Sequence, residues 1–243
     1  MGRTYRIFIG MLALVVVLVV YWNRRSVYVG SFAYNIDDII LNGFNTDRLY
    51  LEKLEYRHVD VLSRYLFNEK ILNPLILDYD PDKWDTIDKV KSYIRRKVAS
   101  KDGVTFVIKI KSGTRYNNAI NGEDMKFIAD GIIGAIGVSY HKYYTINGEN
   151  ADRLLWVYYW IGEPYQKNGF AMEIAPLLIS RLFVYSKDVK HFCTCCNNTN
   201  TASKKILCKT YDSIKKTTKV SNVNEDKHPT DEGARYFHFF KTE

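Results

Sequence analysis

The chain has 243 residues, of which 47% are hydrophobic and 14% aromatic. This composition is enough for one domain with a sizeable core, is marginal for two, and argues against a disordered chain. The net charge of +8 is spread along the sequence without a basic block, so we expect no nucleic-acid partner.

The N-terminus carries the clearest organisational signal. Residues 7–22, IFIGMLALVVVLVVYW, contain no charged side chain. As a helix they would be about 24 Å long, somewhat short of a hydrocarbon core of about 30 Å, and the arginines on both sides can reach outward to close part of the gap. We therefore predict an uncleaved transmembrane anchor over residues 1–25, followed by a juxtamembrane linker over residues 26–44.

A cleaved signal peptide is the alternative for this segment, because Arg3 and Arg6 precede the apolar run. Its cleavage site would be poor, since charged residues follow the run directly and the nearest small-x-small sequence is Ser31-Phe32-Ala33. The charges on the two flanks balance, so they leave the orientation in the membrane open.

Residues 45–243 alternate strand and helix patterns, which predict one globular α/β domain. The first half begins with a strand at 48–54 and a helix at 55–72. A second helix runs from a cap at Asp85 or Thr86 to about Ala99, and two strands follow at 104–110 and 126–139. Its strands should be mostly antiparallel.

The second half has a central strand at 153–162, a helix at 169–186 and a strand at 190–196. A second helix at 197–210 and a closing strand at 234–241 follow. Because a helix joins them, strands 153–162 and 190–196 should be parallel. Residues 140–152 are predicted as a loop, an extra strand is considered near Ile214, and Pro176 is expected to kink its helix.

Four cysteines lie within sixteen residues: Cys193, Cys195, Cys196 and Cys208. Their spacing fits neither a spread disulfide framework nor a zinc half-site. We expect buried side chains here, and we predict no metal.

The stretch GEPYQKNGFAMEI, residues 162–174, joins the central strand to a helix. A helix start presents N–H groups without intrahelical partners and the positive end of the dipole, which suits a phosphate or pyrophosphate. Gly169 lets a ligand approach, Ala171 keeps the next turn slim, and Lys167 adds a cation. An ordinary strand-to-helix turn remains an alternative, because Q-x-x-G-x-A alone is a weak signal.

With its neighbours, this stretch resembles the GNAT superfamily of acyl-CoA N-acyltransferases, and within it the RimJ/RimL type of ribosomal-protein alanine acetyltransferase. Residues 158–174 resemble that branch's Y-W-I-x-P-x-Y-W-G-K-G-Y-A-T-E-A, residues 45–62 its T-x-R-L-x-L-R-x-L, and residues 197–209 its N-x-x-S-x-x-V-L-E-K. The resemblance covers roughly residues 45–215. It implies a GNAT-like mixed sheet, with an antiparallel first half and a parallel strand pair flanking the cofactor site.

The resemblance also implies a function, an acetyl-CoA-dependent N-acetyltransferase that acts on a primary amine of a protein or small molecule by direct attack in a ternary complex. The backbone of Tyr159, Trp160 and Ile161 would pair with the pantetheine arm like an added strand. The pyrophosphate would be held by the loop and helix start formed by Gln166, Lys167, Asn168, Gly169, Phe170 and Ala171.

Three candidate catalytic residues follow from the same resemblance. Asn200 would form a hydrogen bond with the pantetheine or position a water, and a helix cap is the alternative role. Ser203, one turn further, would face the thioester, or be a surface serine. Glu163 is a candidate base for the amine, or a carboxylate that serves the turn beside Pro164.

The sequence departs from the family pattern at three places. Lys167 stands where the family often has Gly, Tyr211-Asp212 where it has Gly-Phe, and Leu207 where amine-acetylating members often have Tyr. These departures favour an alternative, a catalytically degenerate, membrane-tethered binding module. The need for acetyl-CoA favours the cytosolic face of the membrane for either reading.

Overall fold

The computed structural model describes residues 44–68, 71, 85–100, 103–126, 131–141, 144–146, 149–151, 154–185, 191–197, 199–217, 220–221 and 234–241. The predicted anchor, residues 7–22, lies outside these residues, as does the linker up to residue 43. Within the described part, no helix is both long and apolar enough to cross a membrane.

Strands and helices follow one another much as the patterns predict. The strands are β1 (Leu49–Lys53), β2 (Gly103–Ile110), β3 (Arg115–Asn117), β4 (Asp124–Lys126), β5 (Gly131–His141), β6 (Tyr144–Ile146), β7 (Glu149–Ala151), β8 (Leu154–Ile161), β9 (His191–Asn197), β10 (Val220–Ser221) and β11 (Ala234–Lys241). The helices are α1 (Val59–Leu66), α2 (Ile87–Ala99), α3 (Phe170–Tyr185) and α4 (Thr201–Thr217), with short 3-10 turns at Tyr56–His58 and Glu163–Tyr165.

Seven strands form one mixed sheet in the order β1-β2-β5-β8-β9-β11-β10. The pairs β1–β2, β2–β5 and β5–β8 are antiparallel, and β8–β9 is parallel. The strand that closes the chain, β11, is antiparallel to β9. The predicted antiparallel first half and the parallel pair joined through α3 are therefore confirmed.

One helix pair covers each face of this sheet. Apolar side chains of α1 and α2, such as Leu62 and Ile94, pack with Val107 and Ala135 of the sheet in one buried cluster. Those of α3 and α4 pack with the other face in a second cluster, which includes Ile174, Leu178, Leu207, Phe192 and Phe237. Burial of the apolar side chains in these two clusters is the main contribution to the stability of the fold.

Two local expectations differ from the structure, and a third concerns Pro176. Part of the predicted loop 140–152 forms the antiparallel pair β6–β7, and the sequence between the two strands, Asn147-Gly148, is a strong hairpin signal. Ile214 lies inside α4 rather than in a strand. The helix α3 runs from Phe170 to Tyr185 with Pro176 inside it, and Ser180 Oγ donates a hydrogen bond of 2.8 Å to the Pro176 carbonyl; the kink expected at Pro176 stays a prediction.

Candidate active site

The parallel strands β8 and β9 pair only over their first three residues. Leu154 pairs with His191, Leu155 with Phe192 and Trp156 with Cys193. Beyond Trp156, β8 keeps its pairing with β5 up to Ile161, but the described residues give its other edge no further partner strand. A free strand edge offers N–H and C=O groups to an extended ligand, which can add to it as a strand.

A cavity runs through this opening from one face of the sheet to the other. On the side of α4 it is lined by Tyr159, Cys196, Asn200 and Ser203. On the side of α1 and α2 it is lined by side chains that include Tyr158, Trp160, Leu62, Tyr93 and Lys97. At about 70 Å³ the cavity is narrow, so an extended thioester arm would fill it and leave little water beside the reacting atoms.

The loop after β8 contains two residues in the left-handed region. Lys167 has φ 63° and Gly169 has φ 77°, so two left-handed residues alternate with their neighbours just before α3. Glu173 N–H donates to Gly169 O at 3.0 Å, and the N–H groups ahead of this bond are those that helix geometry leaves for an outside acceptor.

The side chains of Gln166 and Asn168 brace this loop. Gln166 Nε2 donates to Ile161 O at 3.0 Å, which ties the loop to the end of β8. Asn168 accepts from the Asn117 N–H at 2.7 Å and donates to the Asn117 carbonyl at 2.7 Å, so it is fixed to the β3–β4 hairpin. The structure thus gives these two predicted ligand residues a positioning role through their side chains.

An ion pair fastens the start of α3 to the first strand. The Glu173 carboxylate accepts from Arg48 Nε at 2.7 Å, from Arg48 Nη2 at 2.6 Å and from Thr46 Oγ1, while Arg48 Nη1 donates to Asn168 O at 3.1 Å. Burial acts to raise the pKa of Glu173, but the bonds from Thr46 and Arg48 outweigh it and hold that pKa below its usual range.

The guanidinium of Arg48 also lies 4.6 Å from the ring centre of Phe170, whose side chain is only 1% exposed. Phe170 therefore anchors α3 in the core, and beside it Ala171 packs partly buried on the same cluster. Sequence reasoning assigned no role to Arg48 or Glu173, although both belong to the quoted family motifs.

Asn200 and Ser203 lie together in the first turn of α4. Asn200 Oδ1 accepts from the Ser203 N–H at 3.0 Å, so Asn200 is the N-cap of the helix, and both side chains line the cavity. Leu207, one turn further, is 1% exposed in the core. The two predicted residues are thus brought to the opening between the strands, and a role for them in catalysis stays a prediction.

Glu163 lies apart from these residues, in the 3-10 turn after β8. Its Oε2 accepts from Asn68 Nδ2 at 2.9 Å, which links the turn to the end of α1. It does not line the cavity. Its assignment as the base therefore stays a prediction that the observed geometry does not favour.

Comparison with known proteins identifies the class to which this fold and site belong. The family model described as "Acetyltransferase (GNAT) domain" matches residues 48–210, which is more than half of the chain. The chain therefore belongs to the GNAT acetyltransferase family, and the family-level resemblance read from the sequence is confirmed. No curated protein matches the chain in a sequence search.

Solved structures share the fold at low sequence identity. A GNAT-family acetyltransferase from Bacillus anthracis is 14% identical, with a TM-score of 0.52 over 82% of this chain and 98% of that one. RimL, the ribosomal L7/L12 α-N-protein acetyltransferase in complex with coenzyme A, is 13% identical, with the same TM-score and the same coverage of both chains. The microcin C7 self-immunity acetyltransferase MccE, bound to acetyl-CoA and AMP, is 15% identical, with a TM-score of 0.50 over 80% of this chain and 93% of that one.

The described residues contain no group of three or more His, Cys, Asp or Glu side chains placed to hold a metal ion. None of the four cysteines forms a disulfide; Cys193 and Cys196 are buried and Cys195 partly so, as predicted, whereas Cys208 is exposed.

Proposed function

We propose that the protein is an N-acetyltransferase that takes an acetyl group from acetyl-CoA and transfers it to a primary amine of a protein or small molecule. The observation that carries this proposal is the separation of β8 from β9 beside the start of α3. An unpaired strand edge and a set of helix-start donors lie next to each other, and this combination suits a ligand with an amide-rich arm and a diphosphate.

The residues present fit such a co-substrate. Within Tyr159, Trp160 and Ile161, the backbone groups that alternate away from β5 would pair with the arm. The N–H groups between Lys167 and Ala171 would hold the diphosphate, and the exposed Lys167 side chain adds a positive charge. Acetyl-CoA and CoA occupy the neighbouring structures of MccE and RimL, which supports this choice of ligand.

The chemistry requires little more than positioning. The neutral amine attacks the thioester carbonyl, and a strand N–H near Ile161 would stabilise the resulting oxyanion. The nitrogen then loses one proton to solvent, and the C–S bond breaks to release the thiolate. The cavity crosses the sheet, so the acceptor amine can enter from the side of α1 and α2 while the thioester arm occupies the side of α4.

A second function, a GNAT-like module that binds CoA without turnover, is favoured by two observations. Leu207 is a buried apolar residue at the position where amine-acetylating members often have Tyr. No carboxylate of the described residues lines the cavity, so none is in place to deprotonate an ammonium group directly. A neutral amine would have to arrive already deprotonated, or lose its proton through water.

An acceptor screen distinguishes the two functions. The full-length chain is incubated with acetyl-CoA and, separately, with an L7/L12 N-terminal peptide, with ribostamycin and with spermidine, and release of the CoA thiol is followed. Amine-dependent release in the wild type that is lost in Gly169→Arg supports transfer. Saturable binding of acetyl-CoA without release for any amine supports the binding module.

The location of the protein is a separate proposal that rests on sequence alone. We propose that residues 7–22 tether the domain 45–243 to a membrane through a single pass, with the domain on the cytosolic side where acetyl-CoA is available. Alkaline carbonate extraction of membranes from expressing cells tests the tether, since only a spanning segment keeps the chain in the pellet.

A further inference from the structure

We propose that the hydroxyl of Tyr159 is the acid that protonates the departing CoA thiolate. The inference rests on the proposed acetyl-CoA site and assigns a catalytic side chain within it. The sequence pointed only to the backbone of this residue as a ligand of the pantetheine arm.

The position of Tyr159 in the strand places it inside the opening. It lies three residues beyond Trp156, the last residue of β8 that pairs with β9, and two residues before Ile161, where β8 ends. Its side chain belongs to the cavity wall on the side of α4, together with Asn200 and Ser203. An arm that runs along the free edge of β8 toward the closed end of the gap therefore passes this hydroxyl.

The hydroxyl is also buried without a hydrogen-bond partner in good geometry among the described residues. A buried hydroxyl without a partner destabilises a fold, so its presence calls for an explanation, such as a partner that arrives with a ligand. The neighbouring polar groups are the Ser203 hydroxyl on α4 and the Cys196 thiol on β9. Burial raises the pKa of Tyr159, an effect that Ser203 partly offsets, so the phenol keeps its proton at every ordinary pH.

Other donors around the thioester are poorly suited. Leu207 on α4 has no proton to give. Tyr158 and Tyr159 are adjacent in β8, so their side chains point to opposite faces of the sheet. The Tyr158 hydroxyl is hydrogen-bonded to Thr105 Oγ1, on the face covered by α2. Tyr159 is thus the phenol that shares the α4 side of the cavity with Ser203.

The proposed step balances as follows. When the C–S bond breaks, its electron pair goes to sulfur, and the O–H proton of Tyr159 passes to that sulfur to give the CoA thiol. The phenolate regains a proton through the Ser203 hydroxyl from solvent, and the attacking nitrogen loses one proton to solvent. Acetyl thioester and amine become acetamide and thiol, with no further reactant.

The test is the pKa of the CoA thiol bound to the full-length chain, read from the ultraviolet absorbance of the thiolate during a pH titration under phosphine reductant. A phenol that donates to the sulfur stabilises the thiolate, so Tyr159→Phe should raise the pKa of the bound thiol by about one to two pH units, a tenfold to hundredfold weaker stabilisation. Tyr116→Phe is the matched control, because it removes the hydroxyl of a buried tyrosine outside the cavity, where that hydroxyl donates to Met125 Sδ. It should leave the pKa of the bound thiol unchanged.

Two results would overturn the proposal, and they differ in kind. If Tyr159→Phe binds CoA as the wild type does and the pKa of the bound thiol does not move, the assignment of Tyr159 is wrong while the proposed function stands. If the wild type binds no CoA, the proposed function fails and this inference fails with it. A fall in turnover without the pKa change would also count against the acid, since a purely structural role produces the same fall.

Discussion

The ion pair between Glu173 and Arg48 should control both the stability of the domain and its affinity for acetyl-CoA. In Glu173→Gln one acceptor oxygen is lost, and an amide NH₂ is placed against the donors of Arg48. The carboxylate is 20% exposed and the guanidinium 38%, so the pair is partly screened. Charge-assisted bonds contribute about 1.5–3 kcal/mol each, and with the loss of two of them, discounted for exposure, we expect about 2 kcal/mol less unfolding free energy.

The same substitution should loosen the loop that precedes α3, because Arg48 also holds the Asn168 carbonyl. We expect the Kd for acetyl-CoA to rise about tenfold, which corresponds to about 1.4 kcal/mol. Urea unfolding of the full-length chain measures the loss of unfolding free energy, and calorimetry measures the Kd for acetyl-CoA. Asp60→Asn, which breaks an exposed pair with Lys91, is the matched control and should change neither.

The pH dependence of stability gives an independent check on this pair. The pKa of Glu173 is lower in the folded chain than its ordinary value of about 4.5, so its contribution is complete above that pH and is lost as the pH falls through the lowered pKa. Glu173→Gln should therefore lose less stability on acidification than the wild type. Equal stability, equal affinity and an equal acid response in the two proteins would refute the bracing role.

Three further predictions concern backbone and buried groups. Gly169→Ala should lower the unfolding free energy by about 1 kcal/mol, because φ is +77° there, and should weaken acetyl-CoA binding. Gly122→Ala, at φ +75°, is the control: urea unfolding should show the same loss of stability, and acetyl-CoA binding should be unchanged. A Cβ at Gly134 would lie 2.2 Å from the Trp160 carbonyl oxygen, so Gly134→Ala should push β8 from β5 and cost about 1–3 kcal/mol, which thermal unfolding would register as a lower Tm. Burial, and next the facing His238, lower the pKa of His191 to about 3. The unfolding free energy should therefore fall by about 2 kcal/mol between pH 6.5 and pH 5, because the unfolded chain takes up a proton that the folded chain does not. In His191→Gln this contribution to the pH dependence of stability should be absent.

Much of the fold could be predicted because its periodic segments are long and locally consistent. β8 and α3 were bounded to within a residue or so, since an apolar run ending in Gly162 and a helix beginning beside Gly169 have strong local signals. The pair β6–β7 is hard to predict because two three-residue strands give almost no alternation, although the sequence Asn147-Gly148 between them is a hairpin signal.

The site was predicted in outline but not in its side-chain detail. The loop at Gly169 was found because a left-handed glycine before a helix leaves a trace in the sequence. The ion pair between Arg48 and Glu173 joins residues 125 positions apart, and such long-range partners cannot be read from spacing. The same limit hid the bond between Asn168 and Asn117, and it also hid the burial of the Tyr159 hydroxyl, which depends on how β8 and α4 pack.

The most direct test compares acetyl-CoA with acetylpantetheine, which lacks the diphosphate and the 3′-phosphoadenosine attached to it, in calorimetric titrations of the full-length chain. If the N–H groups from Lys167 to Ala171 hold the diphosphate, acetyl-CoA should bind with a micromolar Kd, roughly −8 kcal/mol, and acetylpantetheine at least about a hundredfold more weakly. Equal affinities for the two compounds, or no heat with acetyl-CoA, would contradict the account.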